Sequence, residues 1–282
     1  MIRKPAVAGT FYPGNKESLR EEIEECFLHP LGPGRIPSIA EKSKDKIFAI
    51  ISPHAGYVYS GPVAAWGFAC LMENENPETI IILGPNHRGF GRSVAIMTEG
   101  EWETPLGKVP IDEDLAKDIL QASPLIEEDE KAHQREHSLE VQLPFLQYGY
   151  KDNFKIVPIC FTDQTFVTSV GVGKAIFEVI KEKNGIALVA STDLTHYQPR
   201  KIAERDDKNI IEAILTCNPE SLRRVLSSGD YSMCGYGPVF ALMQIALSFG
   251  SVKARLLKYA TSGDITGDYS AVVGYASLSL EK

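Results

Sequence analysis

Short apolar runs alternate along most of the chain with longer stretches of helical periodicity. Runs of four to eight residues rich in Ile and Val, such as "TIIIL" and "IALVAS", have the length and β-branched content of buried strands. On this pattern strands are predicted at Ile47–Ser52, Thr79–Leu83, Val94–Met97, Lys155–Phe161, Ile186–Ser191, Lys253–Lys258 and Ala271–Ser279. Helices are predicted at Lys16–Leu28, Pro62–Met72, Asp112–Ala122, Leu139–Tyr148, Thr165–Lys183, Pro199–Leu215, Pro219–Ser227 and Pro238–Phe249. Several open on a proline, whose fixed φ and missing N–H suit the first helical turn. The alternation predicts an α/β fold. "HPLGPGRIPS" reads as a loop, too short and too early to separate independent domains, and no internal repeat interrupts the pattern, so one domain over residues 1–282 is expected.

Three of the predicted strands end on polar chemistry. "IISPHAG" carries His54 just past its strand, "IIILGPNH" carries His87, and "LVASTDLTHY" carries Asp193 and His196. Loops at the carboxyl ends of strands in open α/β sheets converge on ligands, so these groups are candidates for one pocket. Converging imidazoles suit either metal binding or proton transfer near neutral pH. Asp193 stands three residues before His196, where it either orients an imidazole or caps the turn after the strand. "MCGYGPV" sets Cys234 at the mouth of a predicted helix, a position that favours the thiolate. The other four cysteines fall within helical or strand patterns and read as buried apolar residues.

A competing motif lies at His133–His137. "HQREH" matches the H-x-x-E-H zinc-protease pattern, but "EEDEKAHQREH" offers almost no apolar face for a helix to bury. His137 and Ser138 are read instead as leading into the helix "LEVQLPFLQY", with Glu136 and His137 lining the same pocket as His54. Tyr57 and Tyr59 either line it too or pack beneath it. No GxGxxG after the first strand, no GxxxxGK[ST] loop and no GxSxG elbow is present.

Composition narrows the setting. The 282 residues are 44% hydrophobic and 23% charged, without a run of apolar residues long enough to span a membrane. The formal charge of −8 and a pI near 5.4 work against binding nucleic acid. Five cysteines, an odd count without CxxC spacing, argue against a secreted disulfide framework, and the start of the chain does not read as a signal peptide. The cytoplasm is the expected compartment.

Seven ordered blocks carry a family resemblance: "RKPAVAGTFYPG", "SPHAGYVYSGPVAA", "LGPNHRG", "EHSLEVQLPFLQ", "STDLTHY", "CGYGP" and "GDYSAVVGYAS". Running nearly end to end, they identify the chain as similar to the Memo family, named for mediating cell motility in animals and widespread in archaea and bacteria. The resemblance implies the fold of the class III extradiol ring-cleavage dioxygenases, a central mixed β-sheet flanked by helices with a non-haem iron at its edge. Carried over, it makes His54 and His87 metal ligands and places His196 at the position of an acid/base histidine. Cys234 stands where those dioxygenases use a glutamate.

That difference bears on the chemistry. A carboxylate suits iron(II), whereas a thiolate is softer, shifts preference toward copper(I), zinc or a differently tuned iron, and is itself open to oxidation. Iron or copper is the favoured ion, with zinc as a further candidate. Three readings follow: a metal-dependent redox or oxygen-using enzyme with His196, Asp193 and Cys234 at its centre; a non-catalytic module that binds a peptide or small ligand; and a metal-independent enzyme with Cys234 as nucleophile and His196 as base. Family association in microbes adds a radical-SAM protein and a small companion protein as pathway partners. Neither a nucleic acid nor a membrane is expected.

Overall fold

The computed structural model describes residues 1–41, 43 and 47–282. Its elements begin with β1 (Ile2–Arg3), α1 (Lys16–Leu28), β2 (Ile47–Ser52), α2 (Tyr57–Asn74), β3 (Thr79–Pro85), β4 (Val94–Ile96), β5 (Glu101–Thr104), β6 (Gly107–Pro110), α3 (Glu113–Ala122) and β7 (Glu127–Glu128). They continue through α4 (Leu143–Tyr150), β8 (Lys155–Phe161), α5 (Phe166–Ile180), β9 (Ile186–Ser191), α6 (Arg200–Leu215), α7 (Pro219–Leu226), α8 (Tyr236–Phe249), β10 (Lys253–Thr261), α9 (Gly263–Thr266) and β11 (Gly274–Glu281).

Eight strands form the central sheet in the order β10-β11-β2-β9-β3-β8-β4-β7, and β1, β5 and β6 form a small second one. The run β2-β9-β3-β8 is parallel, while β10, β11 and β4 bring antiparallel pairings. The sheet is therefore mixed. Helices flank it: α2 packs on β2 and β11 beneath α1 and α4, and α8 packs on β3 and β9 beneath α5. Ile80 to Leu83 of β3 are all buried, which is why this strand reads as an unbroken apolar run rather than an alternating one.

The register sets the site. Ser52 of β2 pairs with Ser191 of β9, and Leu83 of β3 pairs with Ala190, so three adjacent parallel strands end almost level. The loops carrying His54, His87, Asp193 and His196 leave from that common edge.

Several boundaries differ from the periodicity. α2 starts five residues before Pro62, with its first amide, Tyr57 N, donating to Phe11 O at 2.8 Å. The predicted helix at Leu139–Tyr148 opens as a 3-10 turn over Glu140–Gln142, because Pro144 has no N–H to offer the Glu140 carbonyl; Leu143 N takes that acceptor instead. Residues Ala271 to Val273 precede β11 rather than belonging to it, and Val272 N instead donates to Gln198 O at 2.8 Å. The two- to four-residue strands β1, β5, β6 and β7 are too short to leave a periodic signal. Among the described residues no helix is long and apolar enough to cross a membrane.

Candidate metal centre

His54 follows β2 and is buried. Its Nε2 lies 3.2 Å from Cys234 Sγ, and its Nδ1 lies 2.7 Å from Ser191 Oγ. The His87 ring stands 5.0 Å from that of His54 at 74°, open to the cavity on one side. Behind it, Glu136 accepts from His87 Nδ1 at 3.0 Å and from His87 N at 2.6 Å. The same carboxylate accepts from His137 N and Ser138 N, each at 2.8 Å. Burial alone would raise its pKa, but the His87 hydrogen bond, the neighbouring imidazoles and the Ser138 N–H bring it down to about 2. An ionised Glu136 keeps a proton on His87 Nδ1, so in the neutral ring Nε2 is the bare nitrogen.

Cys234 arrives from the other side, on the loop before α8. Cys234 N donates to Asp193 O at 3.3 Å, Asp193 N donates to Cys234 Sγ at 3.2 Å, and Gly235 N donates to Thr192 Oγ1 at 3.0 Å. This close seating needs Gly235, since a Cβ there would lie 2.3 Å from Ser191 O. Gln164 fastens the loop from outside, donating to Cys234 O and accepting from Gly237 N, both at 2.9 Å.

Asp193 joins these parts. Its Oδ1 accepts His54 N at 2.8 Å, and its Oδ2 is 3.9 Å from His54 Nε2. Burial raises its pKa to about 6 against the pull of the His54 N–H and the nearby imidazoles. Its two sequence readings merge here, because it orders both the strand-end loop and the groups around His54. His196 Nδ1 stands 2.8 Å from two carbonyl oxygens, Leu194 O and Ser232 O. Carbonyls only accept, so Nδ1 carries a proton, and in the neutral ring Nε2 is the bare nitrogen.

The donor atoms of His54, His87 and Cys234 all lie within 4.8 Å of one another, as do those of Asp193, His196 and Cys234. The second set shares the sulfur with the first. A cavity of about 670 Å³ opens beside them, lined by His54, His87, His137, Asp193 and His196, with Phe11, Tyr59, Tyr197 and Tyr275 among its walls. His137 stacks on His87 with ring centroids 4.6 Å apart, and burial, only partly offset by Glu136, lowers its pKa to about 4.

Two sequence expectations come out differently, and the rejection of a protease helix holds. Tyr57 sits in the core, its hydroxyl donating to Val141 O at 2.7 Å and its ring against Phe145, and Tyr59 is the tyrosine on the cavity wall. A thiolate-favouring Cys234 is reversed: burial first, then the charge of Asp193, push the thiol up, outweighing the hydrogen bonds from the Asp193 N–H and Thr192. "HQREH" is a succession of turns with no helix, so His133 and His137 share no face. His133 is buried against Trp102 instead, and its pKa is lowered to about 3 by burial and by Arg3.

Ser138, Gln142, Ser191, Gln164 and Phe11 were absent from the candidates. Ser191 had a signal, a polar residue closing an apolar run one position before a Thr-Asp pair. Gln142 and Gln164 had none, because a glutamine within an amphipathic or loop stretch is unremarkable.

Three strand ends and one helix mouth thus define a mixed α/β protein with two histidines and a cysteine gathered at the carboxyl edge of its sheet. The chain belongs to the Memo-like protein family, whose model matches residues 3–279. A MEMO1 family protein of Methanothermobacter thermautotrophicus is 48% identical over 280 residues, covering 99% of this chain and 100% of that protein. One from Methanopyrus kandleri is 46% identical over 279 residues, covering 99% and 98%. The crystal structure of an uncharacterized protein from Escherichia coli K12 shares the fold with a TM-score of 0.58 at 15% identity, covering 82% of this chain and 98% of that one.

Proposed function

We propose that this protein is a metal-dependent enzyme of redox or oxygen chemistry, with His54, His87 and Cys234 as ligands and a small molecule as substrate. The carrying observation is the mutual approach of three donors to within 4.8 Å. An ion about 2.0–2.1 Å from imidazole nitrogen and about 2.3 Å from sulfur needs only small side-chain movements to reach all three. Two imidazoles and one thiolate suit copper, iron or zinc better than the hard cations, and redox chemistry favours the first two. When bound, such an ion supplies a Lewis acid and an electron acceptor or donor at the cavity floor.

The chain's own residues complete the site. His196, with Nδ1 held by two carbonyls, has Nε2 left to exchange a proton with a ligand in the cavity. Asp193 keeps His54 and Cys234 in register through its backbone and carboxylate. The protonated thiol supports this reading over a metal-free cysteine nucleophile, which needs a depressed pKa. All five cysteines are free thiols, in keeping with a reducing, cytoplasmic setting. The radical-SAM protein associated with microbial relatives would then share its pathway.

The test is anaerobic purification, reconstitution with Fe(II), Cu(I) or Zn(II), and elemental analysis. Wild type is expected to retain metal stoichiometrically, and His54→Ala, His87→Ala and Cys234→Ala to lose it. A wild-type protein that retains none of the three ions overturns the proposal.

A further inference from the structure

His87 and His196 owe their tautomers to groups that only accept: a carboxylate and two carbonyls. His54 differs, because the partner of its Nδ1 is a serine hydroxyl, which is able to donate or accept. The ring would then be free to carry its proton on either nitrogen, and only one choice leaves Nε2 facing Cys234 with a lone pair. The surrounding hydrogen bonds make that choice.

Ser191 Oγ lies 2.7 Å from Ser138 O, a carbonyl that has no hydrogen to give. Two oxygens at that distance require a hydrogen between them, and only Ser191 carries one. Gln142 Nε2 lies 3.0 Å from Ser191 Oγ, 3.0 Å from Pro53 O and 3.3 Å from Ser138 O, and its amide nitrogen approaches the serine oxygen only as a donor. With its own hydrogen committed to Ser138 O, Ser191 is left as an acceptor, and His54 Nδ1 must donate to it. Ser138 is itself pinned, its hydroxyl donating to Pro85 O at 2.7 Å. All of these groups are buried, shielded from bulk solvent.

We infer that Ser191, Gln142 and Ser138 form a proton-ordering relay that holds His54 as its Nδ1–H tautomer, making Ser191 and Gln142 positioning residues for the metal centre. The relay needs no metal and is already set in the ion-free protein, where the bare Nε2 accepts the Cys234 thiol. Its effect on ion affinity rests on the metal reading above; its effect on the tautomer does not.

It also ties the two ligands together. Glu136, which orders His87, and Ser138 and Gln142, which order His54, lie on one seven-residue stretch. A displacement of that stretch would disturb both imidazoles at once.

The experiment is long-range ¹H–¹⁵N correlation NMR of histidine-labelled, ion-free protein, with His54→Gln used to assign the resonance, alongside Zn(II) competition titration. Wild type is expected to show His54 protonated on Nδ1. Ser191→Ala is expected to move it toward the Nε2–H form and to weaken Zn(II) binding about 10- to 100-fold, the usual effect of losing an outer-shell partner. Gln142→Leu should produce the same shift in smaller measure, since Ser191 keeps its hydroxyl. An Nε2–H wild-type tautomer overturns the relay outright, even if neither variant folds, and so does Ser191→Ala with tautomer and affinity both unchanged. The predicted tautomer in a wild type that binds no Zn(II), Fe(II) or Cu(I) leaves the relay standing and removes the metal reading.

Discussion

Glu140 is a central anchor of the N-terminal segment that reaches the pocket. The carboxylate, fully buried, pairs with Arg3 and accepts Ala6 N at 2.8 Å, Val7 N at 3.1 Å and the Tyr12 hydroxyl at 2.5 Å. The arm fixed this way carries Phe11 onto the His137 ring, 4.7 Å between centroids, at the cavity wall. In Glu140→Gln the amide nitrogen must replace one oxygen, and either orientation turns a donor toward donors while the buried Arg3 loses its countercharge. Breaking a buried pair from one side costs about 3–5 kcal/mol, a large share of the roughly 5–15 kcal/mol that holds a domain folded. Arg3 lies 4.4 Å over the Trp102 ring, so Trp102 fluorescence in a Trp66→Phe background follows the arm through urea unfolding. Arg3→Met should cost a similar amount. The double variant Arg3→Met/Glu140→Met should cost less than the sum of the two single losses, because neither charge is then stranded. A loss below about 1 kcal/mol for Glu140→Gln, or strict additivity in the cycle, would refute the view of Glu140 as the anchor of this arm.

Other expectations concern single positions. Gly235→Ala drives a Cβ against Ser191 O, so it should displace Cys234, cost about 1–3 kcal/mol in thermal unfolding and reduce ion retention; an unchanged Tm and full retention would contradict the close seating. Because burial and Asp193 keep the Cys234 thiol protonated, uptake of an ion should release a proton, and affinity measured by Zn(II) competition should rise about tenfold per pH unit above the imidazole range. A flat profile would mean that the sulfur is not a ligand. Burial raises the Asp207 pKa despite its bonds from Thr195 N and the Tyr259 hydroxyl. Folding therefore favours its protonated form: that contribution is complete below the ordinary carboxylate pKa of about 3.9 and is lost as pH rises through the raised native value. The stability of wild type relative to Asp207→Asn should fall across that rise, and a relative gain would reverse the sign.

How much of this was legible in the sequence depends on how locally each feature is encoded. β3, β8 and β9 are buried on both faces, and a continuous Ile/Val run bounded by polar turns admits few other readings. The histidines that end β2 and β3 were visible because polar groups abruptly replace an apolar run at a strand end. The approach of Cys234 depended on a residue 180 positions from His54, and nothing in local spacing encodes that contact. Only the family resemblance brought the two together in advance. Tyr57 shows the opposite limit: its neighbours Gly56 and Tyr59 do face the cavity, but the helix begins at Tyr57 itself and turns that side chain into the core.

The direction of the Cys234 shift bears on the choice between a nucleophile and a ligand, because position and environment oppose each other there. A cysteine at a helix mouth reads as an activated thiolate, yet burial and an adjacent carboxylate leave this one protonated. A chain selected for cysteine nucleophilicity gains nothing from such surroundings, whereas a cation shared with two neutral imidazoles would reverse the local balance and draw the proton away. The low pKa of His54 fits the same requirement, since a neutral ring is the form that binds a metal. The buried acid beside Cys234, costly in isolation, becomes favourable once positive charge enters the site. The electrostatics that weaken the nucleophile reading are therefore the ones a metal centre needs.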